Sequence, residues 1–424
     1  MRVLVAGAGI GGLTAALSLH AAGIDVEVVE SARRVRPLGV GINLLPHAMR
    51  ELSELGLGAA VEAAGVATTE LAYFDRFGSR ISSEPRGRGA GYRWPQVSIH
   101  RGALQLLLLD AVLERLGAGG VHTGLAVVAF EQSPDAVHVQ LRDRSTGERR
   151  TVVADALVGA DGIHSTVRAQ LHPTEGAPVW NGIQMWRGVS TGAPFGSGTT
   201  MIMAGSNRRA KFVAYPIGRS AGSVQINWVA EARVAEPGAP FGVQDWRRQG
   251  SAADVLAHFG SWRFDWLDIP ALIAAAPAIF EYPMVDRDPL ERWGAGRVTL
   301  LGDGAHPMYP IGSNGASQAI IDARVLALEL ARSGGDALRG SAAYEATRRP
   351  ATSALVLANR RHGPEQILSI VDERAPDGFA HIDDVLSPDE RTMITEAYRR
   401  TAGFDVANLN TRPSWNVEPA AATR

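Results

Sequence analysis

The chain has 424 residues, 20% of them charged, and a net charge of −2. That length supports two or three domains with sizeable cores, and the near-neutral balance argues against a nucleic-acid partner, which would want a basic surface. With no cysteine, disulfides, thiolate nucleophiles and thiolate metal sites are excluded.

The first strand is expected to start at Arg2, which leaves no room for a signal peptide. No apolar run approaches the length of a membrane span. A cytoplasmic protein with no membrane partner is the expectation. Val3, Leu4 and Val5 form an apolar run, followed by Gly7-Ala8-Gly9-Ile10-Gly11-Gly12 and a helical pattern with Leu13, Leu17 and Leu19. Ile24 to Val29 is a second apolar run that ends on Glu30. Strand, glycine turn, helix, strand and acid make a dinucleotide-binding unit. Gly7 permits the tight turn, Gly9 lets a pyrophosphate approach the backbone, and Gly12 lets the helix pack on the strand. The helix N-terminus offers free N–H groups to the anion, and Glu30 can accept from a ribose diol. The motif alone does not separate FAD from NAD.

Arg33, Arg34 and Arg36 follow, then the glycine-bearing loop from Pro37 through Gly41 to Asn43, read as lying close to a ligand. For any single arginine a solvated surface is the favoured reading. Pro46 to Leu55 reads as a helix closed by Gly56. Residues 71–99 turn to short β-like pieces, an excursion into a second domain. Leu104 to Leu116 is an amphipathic helix ended by Gly117. Val121 to Leu141 alternates as strands do, with a turn near Ser133-Pro134-Asp135. Ala156 to Gly162 is a buried strand running into an Asp-Gly turn, with Ser165 as N-cap of the next helix. Gly182 to Val229 reads as several antiparallel strands, and Asp245 to Leu272 as helix with three tryptophans. Arg297 to Asp303 is a third buried strand. It leads through a turn rich in glycine and proline into a helix from Ala316 to about Ser333. Ala343 to Asn359 is helical, and Pro413 to Arg424 reads as a frayed end.

Taken singly, Asp161 and Asp303 read as helix caps and Arg168 as a surface or structural arginine. His306 follows a Gly-Asp turn, where a structural role is favoured over acid–base work. The histidines show no metal spacing.

Taken together and in order, three elements resemble the single-component FAD-dependent aromatic hydroxylases, the para-hydroxybenzoate hydroxylase class. They are the 7–12 glycine turn with Glu30, Gly159-Ala160-Asp161-Gly162 through Arg168, and Gly302-Asp303 before the Pro310/Gly312 turn. Stretches such as Met185-Trp186-Arg187-Gly188-Val189 look closer still to the 5-methylphenazine-1-carboxylate monooxygenase branch of that class. The resemblance implies an α/β fold: a Rossmann-type FAD-binding domain, an inserted substrate domain with a mixed or antiparallel sheet, and C-terminal helices. The FAD-binding domain would be discontinuous over 1–70, 100–175 and 282–360. The substrate domain would take 71–99 and 176–281, and a helical region and tail 361–424.

By the same resemblance, Gly7, Gly9, Ile10, Gly11 and Gly12 would hold the FAD pyrophosphate and Glu30 the adenosine ribose. Arg36 and Gly41 belong to the ligand-side loop. Arg101 would reach the phosphate and ribityl region, Leu125 would meet adenine through its backbone, and Asp303 would bond the ribityl chain. Gly312, Ser313 and Asn314 would open the helix aimed at the flavin pyrimidine. Asp161 and Arg168 match an element linked to both FAD and NAD(P)H. Gly304 departs from the usual alanine and is expected to loosen the turn. The implied reaction is hydroxylation of a planar aromatic acid, such as a phenazine carboxylate or an amino- or hydroxybenzoate. NADH or NADPH and O2 would be co-substrates, and a flavin C4a-hydroperoxide the oxidant. The cofactor carries that chemistry, so no firm protein catalytic residue and no metal are expected. Substrate-pocket candidates are Tyr215 first, then Asn43, Trp186, Arg187, Met203, Tyr309 and Pro310. Trp186 and Arg187 should point to opposite faces of their strand. Arg187 reads more as an ion-pair partner than as a carboxylate clamp. A monomer or homodimer is expected. The alternatives are a dehydrogenase or halogenase on the same fold, or a flavoprotein that holds FAD without catalysis.

Overall fold

The computed structural model describes residues 1–37, 39–220, 222–239 and 248–417. Leu38 of the glycine loop, the start of the expected 245–272 helix and residues 418–424 of the expected frayed end lie outside the described residues.

The apolar run Arg2–Ala6 is the centre of a five-stranded parallel sheet. Asp25–Glu30 and Val121–Thr123 lie to one side, Ala156–Gly159 and Val298–Leu300 to the other. Strands buried on both faces read as continuous apolar runs, which is why these segments were legible. Val3, Leu4 and Val5 are fully or nearly fully buried. The first helix, Ile10–Ala21, packs on the sheet and on the long helix Gly315–Arg332. A Cβ at Gly11 would lie 2.7 Å from Leu301 Cδ2 and 3.2 Å from Ala319 Cβ, so glycine permits this approach. All five strands run the same way, so their carboxyl ends share one edge. Gly7, Glu30, Asp161 and Asp303 gather there, the edge where open α/β sheets bind ligands.

A second, seven-stranded sheet is ordered Ile279–Asp286, Val179–Gly192, Ser223–Arg233, Ala210–Ser220, Thr200–Gly205, Glu70–Phe74, Arg80–Pro85. Every pair is antiparallel except Thr200–Gly205 with Glu70–Phe74. Alternation sorts its side chains. Ile202, Phe212, Ala214, Trp228 and Trp186 face outward under the helices Ala252–Phe259 and Ile269–Ala274. Met201, Met203, Val213, Tyr215 and Val229 occupy the inner face with Leu71 and Tyr73. A small three-stranded sheet, Gly41–Leu44, Gln96–His100 and Val66–Thr68, packs on the strand Ala210–Ser220.

Three segments differ from expectation. Where one helix was expected over 245–272, helices at 252–259 and 269–274 flank a short hairpin, Arg263–Phe264 with Leu267–Asp268. Asp268 caps the second helix through the Ala271 N–H, which starts a new helix instead of continuing the first. Gln96–His100 joins the small sheet and not the seven-stranded one. The helix expected from Ala343 begins at Ala337, capped by Asp336.

His47 is buried in the helix Pro46–Glu54 and stacks on Phe404 at 5.2 Å. Burial, with Arg348 and Arg412 nearby, lowers its pKa from 6.5 to about 3. The folded state therefore holds His47 neutral while the unfolded chain takes up a proton below pH 6.5. Stability is full above that pH and declines as pH falls toward 3. At pH 5 this one group costs about 2 kcal/mol. Urea unfolding at pH 7.5 and pH 5 should show that loss in wild type and a clearly smaller one in His47→Gln.

Candidate active site

The glycine turn is shaped by three different constraints. Gly7 has φ +106°, and a Cβ there would meet the Ala160 carbonyl oxygen at 2.4 Å. A Cβ on Gly12 would meet the Gly7 carbonyl oxygen at 2.0 Å. Gly9 faces open space, with nothing within 4 Å. The protein's own packing thus accounts for Gly7 and Gly12 but not for Gly9, where a side chain would meet no atom of the protein. Ala8 N donates to Glu30 Oε2 at 2.8 Å, and Gln105 Nε2 to the Ala8 carbonyl at 2.7 Å. Glu30 Oε1 also accepts from Ala32 N at 2.7 Å. Glu30 therefore ties the turn to its strand; its Oε1 accepts a second bond from Ser31 Oγ at 3.2 Å, while Oε2 keeps a lone pair open.

Around this edge, Asp303 is exposed and makes no hydrogen bond among the described residues. Ser165 caps the helix Thr166–Leu171 as expected, accepting from Arg168 N at 2.9 Å, and Asp161 accepts from Thr166 N at 2.8 Å and Val167 N at 3.3 Å. The Asp161 Oδ1 is buried with no partner. Burial raises its pKa despite those bonds. Leu125 is buried at the start of its strand, and Arg36 is exposed on the loop. Arg101 is exposed at the head of the helix Arg101–Leu116 and pairs with no carboxylate among the described residues. A Cβ on Gly41 would meet Asn227 Cβ at 2.6 Å, so the loop presses on the inner face of the large sheet.

Arg168 is 1% exposed and lies inside the protein. It grips Glu175 through Nε (2.7 Å) and Nη2 (2.6 Å), and its Nη1 donates to the Gly304 and Ala305 carbonyls at 3.1 and 2.8 Å. The arginine holds the turn after Asp303 and presents no free donor toward a nicotinamide nucleotide. A Cβ on Gly304 would sit 2.7 Å from the Gly159 carbonyl oxygen. Glycine at 304 therefore tightens this turn against the sheet, the reverse of the loosening expected. His306 Nε2 shares a hydrogen bond with the buried Asp322 at 2.5 Å, and Arg348 Nε donates to the same carboxylate at 2.7 Å. Burial pushes the Asp322 carboxyl up, but His306 and Arg348 outweigh it and hold it below its ordinary value. His306 is structural.

The turn at 311–314 is held by side chains far away in sequence. Gly312 and Ser313 have φ of 69° and 57°. For serine this is a strained conformation, costing on the order of 1–3 kcal/mol, and it persists only where the surroundings enforce it. Gly312 N donates to Glu365 Oε1 at 3.3 Å. Asn314 Nδ2 donates to Tyr398 Oη at 2.9 Å, and Tyr398 Oη lies 3.0 Å from Asn359 Oδ1. A Cβ on Gly312 would collide with Tyr398 Oη at 2.1 Å. Behind the turn, the helix Gly315–Arg332 starts without a side-chain cap.

Opposite Gly312 and Ser313, a narrow cavity is lined by Leu71, Tyr73, Met201 and Met203 of the large sheet's inner face, by Leu45 and Phe404, and by Arg86, Gln96 and Arg399. Its free volume is about 20 Å³, close to one water, so a larger occupant must move side chains.

The pocket candidates divide on this geometry. Met203 lines the cavity. Tyr215 is on the same face but 3% exposed. Burial pushes its hydroxyl up to about 12, against the pull of the neighbouring Arg187 and Asn227 side chains. Arg187 donates to the Gly41 carbonyl at 2.8 Å and has a buried, unpartnered Nε. It pairs with no carboxylate among the described residues, so it does not make the ion pair expected of it. Trp186 points to the outer face, beside His258 at 5.6 Å, and leaves the pocket set. That opposition of 186 and 187 is the expected alternation. Asn43 accepts from Ser98 Oγ at 2.5 Å within the small sheet. Tyr309 is buried against Met185 and Met284, and Pro310 is exposed. Sequence reasoning missed Tyr73, Arg86, Gln96, Tyr398 and Arg399. None sits in a motif, and only the fold brings them to the turn.

Comparison with known proteins gives the family. A model described as FAD binding domain matches residues 1–241 and 280–358. A phenazine 1,6-dicarboxylic acid hydroxylase of Lysobacter antibioticus is 51% identical over 84% of this chain and 89% of its own. A 3-amino-4-hydroxybenzoate 2-monooxygenase of Streptomyces cremeus is 31% identical over 97% and 99%. A variant of Klebsiella pneumoniae HpxO, solved with FAD, has a TM-score of 0.74 and 25% identity over 95% of this chain and 99% of its own. Among the described residues no helix is long and apolar enough to cross a membrane, and no cluster of side chains could hold a metal. On the family match over both segments and on these relatives, the chain belongs to the FAD binding domain family, among aromatic hydroxylases that use FAD.

Proposed function

We propose that the protein hydroxylates a planar aromatic acid, using FAD, with NADH or NADPH as electron donor and O2 as oxidant. In sum, the aromatic C–H, O2, NAD(P)H and a proton give the aromatic alcohol, NAD(P)+ and water. The reading rests above all on the family match and on relatives named for hydroxylating a phenazine dicarboxylic acid and an aminohydroxybenzoate. When bound, FAD supplies the redox chemistry. The chain's residues bind, orient and exclude water. Gly9 leaves room for the pyrophosphate and the first helix offers its N–H groups to it. Glu30 takes the ribose diol, Asp303 the ribityl hydroxyls, and Arg101 a phosphate. The uncapped start of the helix Gly315–Arg332 places partial positive charge beside the slot, where it stabilises developing negative charge. Tyr73, Met201 and Met203 supply a flat apolar wall for the ring. Arg168 and Tyr398 act at one remove, by fixing the turns that carry Asp303 and Gly312. The discontinuous division into cofactor and substrate domains, a cytoplasmic location and a monomeric or dimeric state belong to the same proposal.

Two experiments test it. Gly9→Val should give a folded, colourless protein, because the added side chain fills only the space assigned to the pyrophosphate. Gly12→Val should fail to fold, because it strikes the Gly7 carbonyl. A yellow Gly9→Val protein with normal flavin absorbance would remove the turn from the site. In oxygen-electrode assays, phenazine carboxylates or amino- or hydroxybenzoates should stimulate NAD(P)H oxidation and yield a product carrying one added oxygen by mass spectrometry. Flavin-bound enzyme that none of these acids stimulates would overturn the reading.

A further inference from the structure

The wall of the slot farthest in sequence from the glycine motifs carries an unbalanced charge. Glu84 accepts from Arg86 Nη2 at 2.5 Å, from Arg399 Nη2, and from Tyr73 Oη at 3.4 Å. Two guanidinium groups thus share one carboxylate, at the edge of an apolar cavity. Burial pulls the Arg86 pKa down, but Glu84 and Tyr73 outweigh it and the group stays charged. Another buried acid close to this wall, Glu365, is occupied by Lys211, by Asn207 Nδ2 at 3.0 Å and by Gly312 N. It is not available to neutralise the second arginine.

The donors on this wall are also incompletely used. Arg86 Nε and Arg399 Nε are buried with no hydrogen-bond partner, and Gln96, 2% exposed, has a buried Oε1 with none. A buried, unsatisfied polar group is costly unless something completes it. Here two donors and one acceptor left open all line the same cavity as Met201, Met203 and Ser313. The surplus charge is positive, and the arginine fork matches a planar carboxylate.

We propose that Arg86 and Arg399 together anchor a carboxylate of the aromatic substrate, with the Gln96 amide accepting a hydrogen bond from a hydroxyl or N–H of the same molecule. This rests on the aromatic-acid reading above and deepens it. The helix Pro388–Thr401 thereby becomes part of the specificity machinery. Glu84 is a positioning residue that orients both guanidiniums. The apolar floor of Met201, Met203 and Leu71 then carries the ring from this anchor toward the Gly312–Ser313 turn.

The test uses the FAD-loaded enzyme and follows flavin absorbance while titrating phenazine-1-carboxylate and its uncharged carboxamide. Wild type should bind the carboxylate about tenfold or more tightly than the carboxamide, the ratio expected for one charge-assisted contact. Arg399→Gln and Arg86→Gln should each bring that ratio close to one while retaining FAD, and Arg399→Lys should restore part of it. Circular dichroism and FAD content report whether each variant folds. If either glutamine variant fails to fold, the wild-type ratio still decides, since a wild type that does not distinguish the two ligands overturns the anchor. An unchanged ratio in both folded glutamine variants overturns the anchor and leaves the aromatic-acid reading standing. A wild type that binds neither these ligands nor the benzoates overturns both.

Discussion

Glu365 is where the large sheet meets the turn that faces the slot. One of its carboxylate oxygens takes the Lys211 ammonium from the sheet, and the other takes the Gly312 N–H from the turn. Lys211 is 1% exposed and also lies 3.0 Å from Glu231. Burial pulls the lysine pKa down, but the two carboxylates outweigh it and raise it. Glu231, buried and close to Glu365, is pushed up. Such a cluster adds little stability over an apolar core, yet it is strongly destabilising to break, because removing one partner strands a buried charge. Its consequence is geometric. The inner face of the sheet and the 311–314 turn are held at a set distance, and the slot is the space between them.

Tyr398 does the same work from the other side. Its hydroxyl occupies the position a Cβ on Gly312 would need, and it receives the Asn314 amide. Gly312 is therefore required both by its positive φ and by a contact with a residue 86 positions later. Ser313, which has no glycine freedom, is carried into the same left-handed region by this framework. Strain at the residue nearest the cavity is consistent with a turn selected for what it presents to a ligand.

Charge within the fold follows one pattern. Asp322, Glu365 and Glu175 are each buried or half-buried with cationic partners, and Asp322 and Glu365 also accept from a backbone N–H. Their roles are structural: they hold turns. Arg101, Arg187 and the pair Arg86 and Arg399 differ, because among the described residues their positive charge is not fully matched. Arg86 and Arg399 line the slot, Arg187 lies on the sheet face that borders it, and Arg101 is exposed at the head of its helix. An anionic cofactor and an aromatic acid together have the chemistry to complete them.

Local sequence was enough for the cofactor half of the molecule. A parallel strand buried on both faces reads as an unbroken apolar run, and a strand-to-helix turn reads as glycines at fixed offsets, so Val3 to Glu30, Ala156 to Gly162 and Arg297 to Asp303 could be placed without any long-range information. Alternation likewise sent Trp186 and Arg187 to opposite faces. Alternation does not say which face is the inner one, and only the packing of the helices 252–259 and 269–274 on the Trp186 side decided that. The interruption of the expected 245–272 helix depended on Asp268 finding a cap and on hairpin pairing, which outcompeted helix propensity. Arg168 could not be told from a ligand-binding arginine until Glu175 and the Gly304 and Ala305 carbonyls were seen around it. The slot itself had no motif to find. Tyr73, Arg86, Gln96, Tyr398 and Arg399 come from four separate stretches of chain, and their proximity is a property of tertiary contacts that no local spacing encodes.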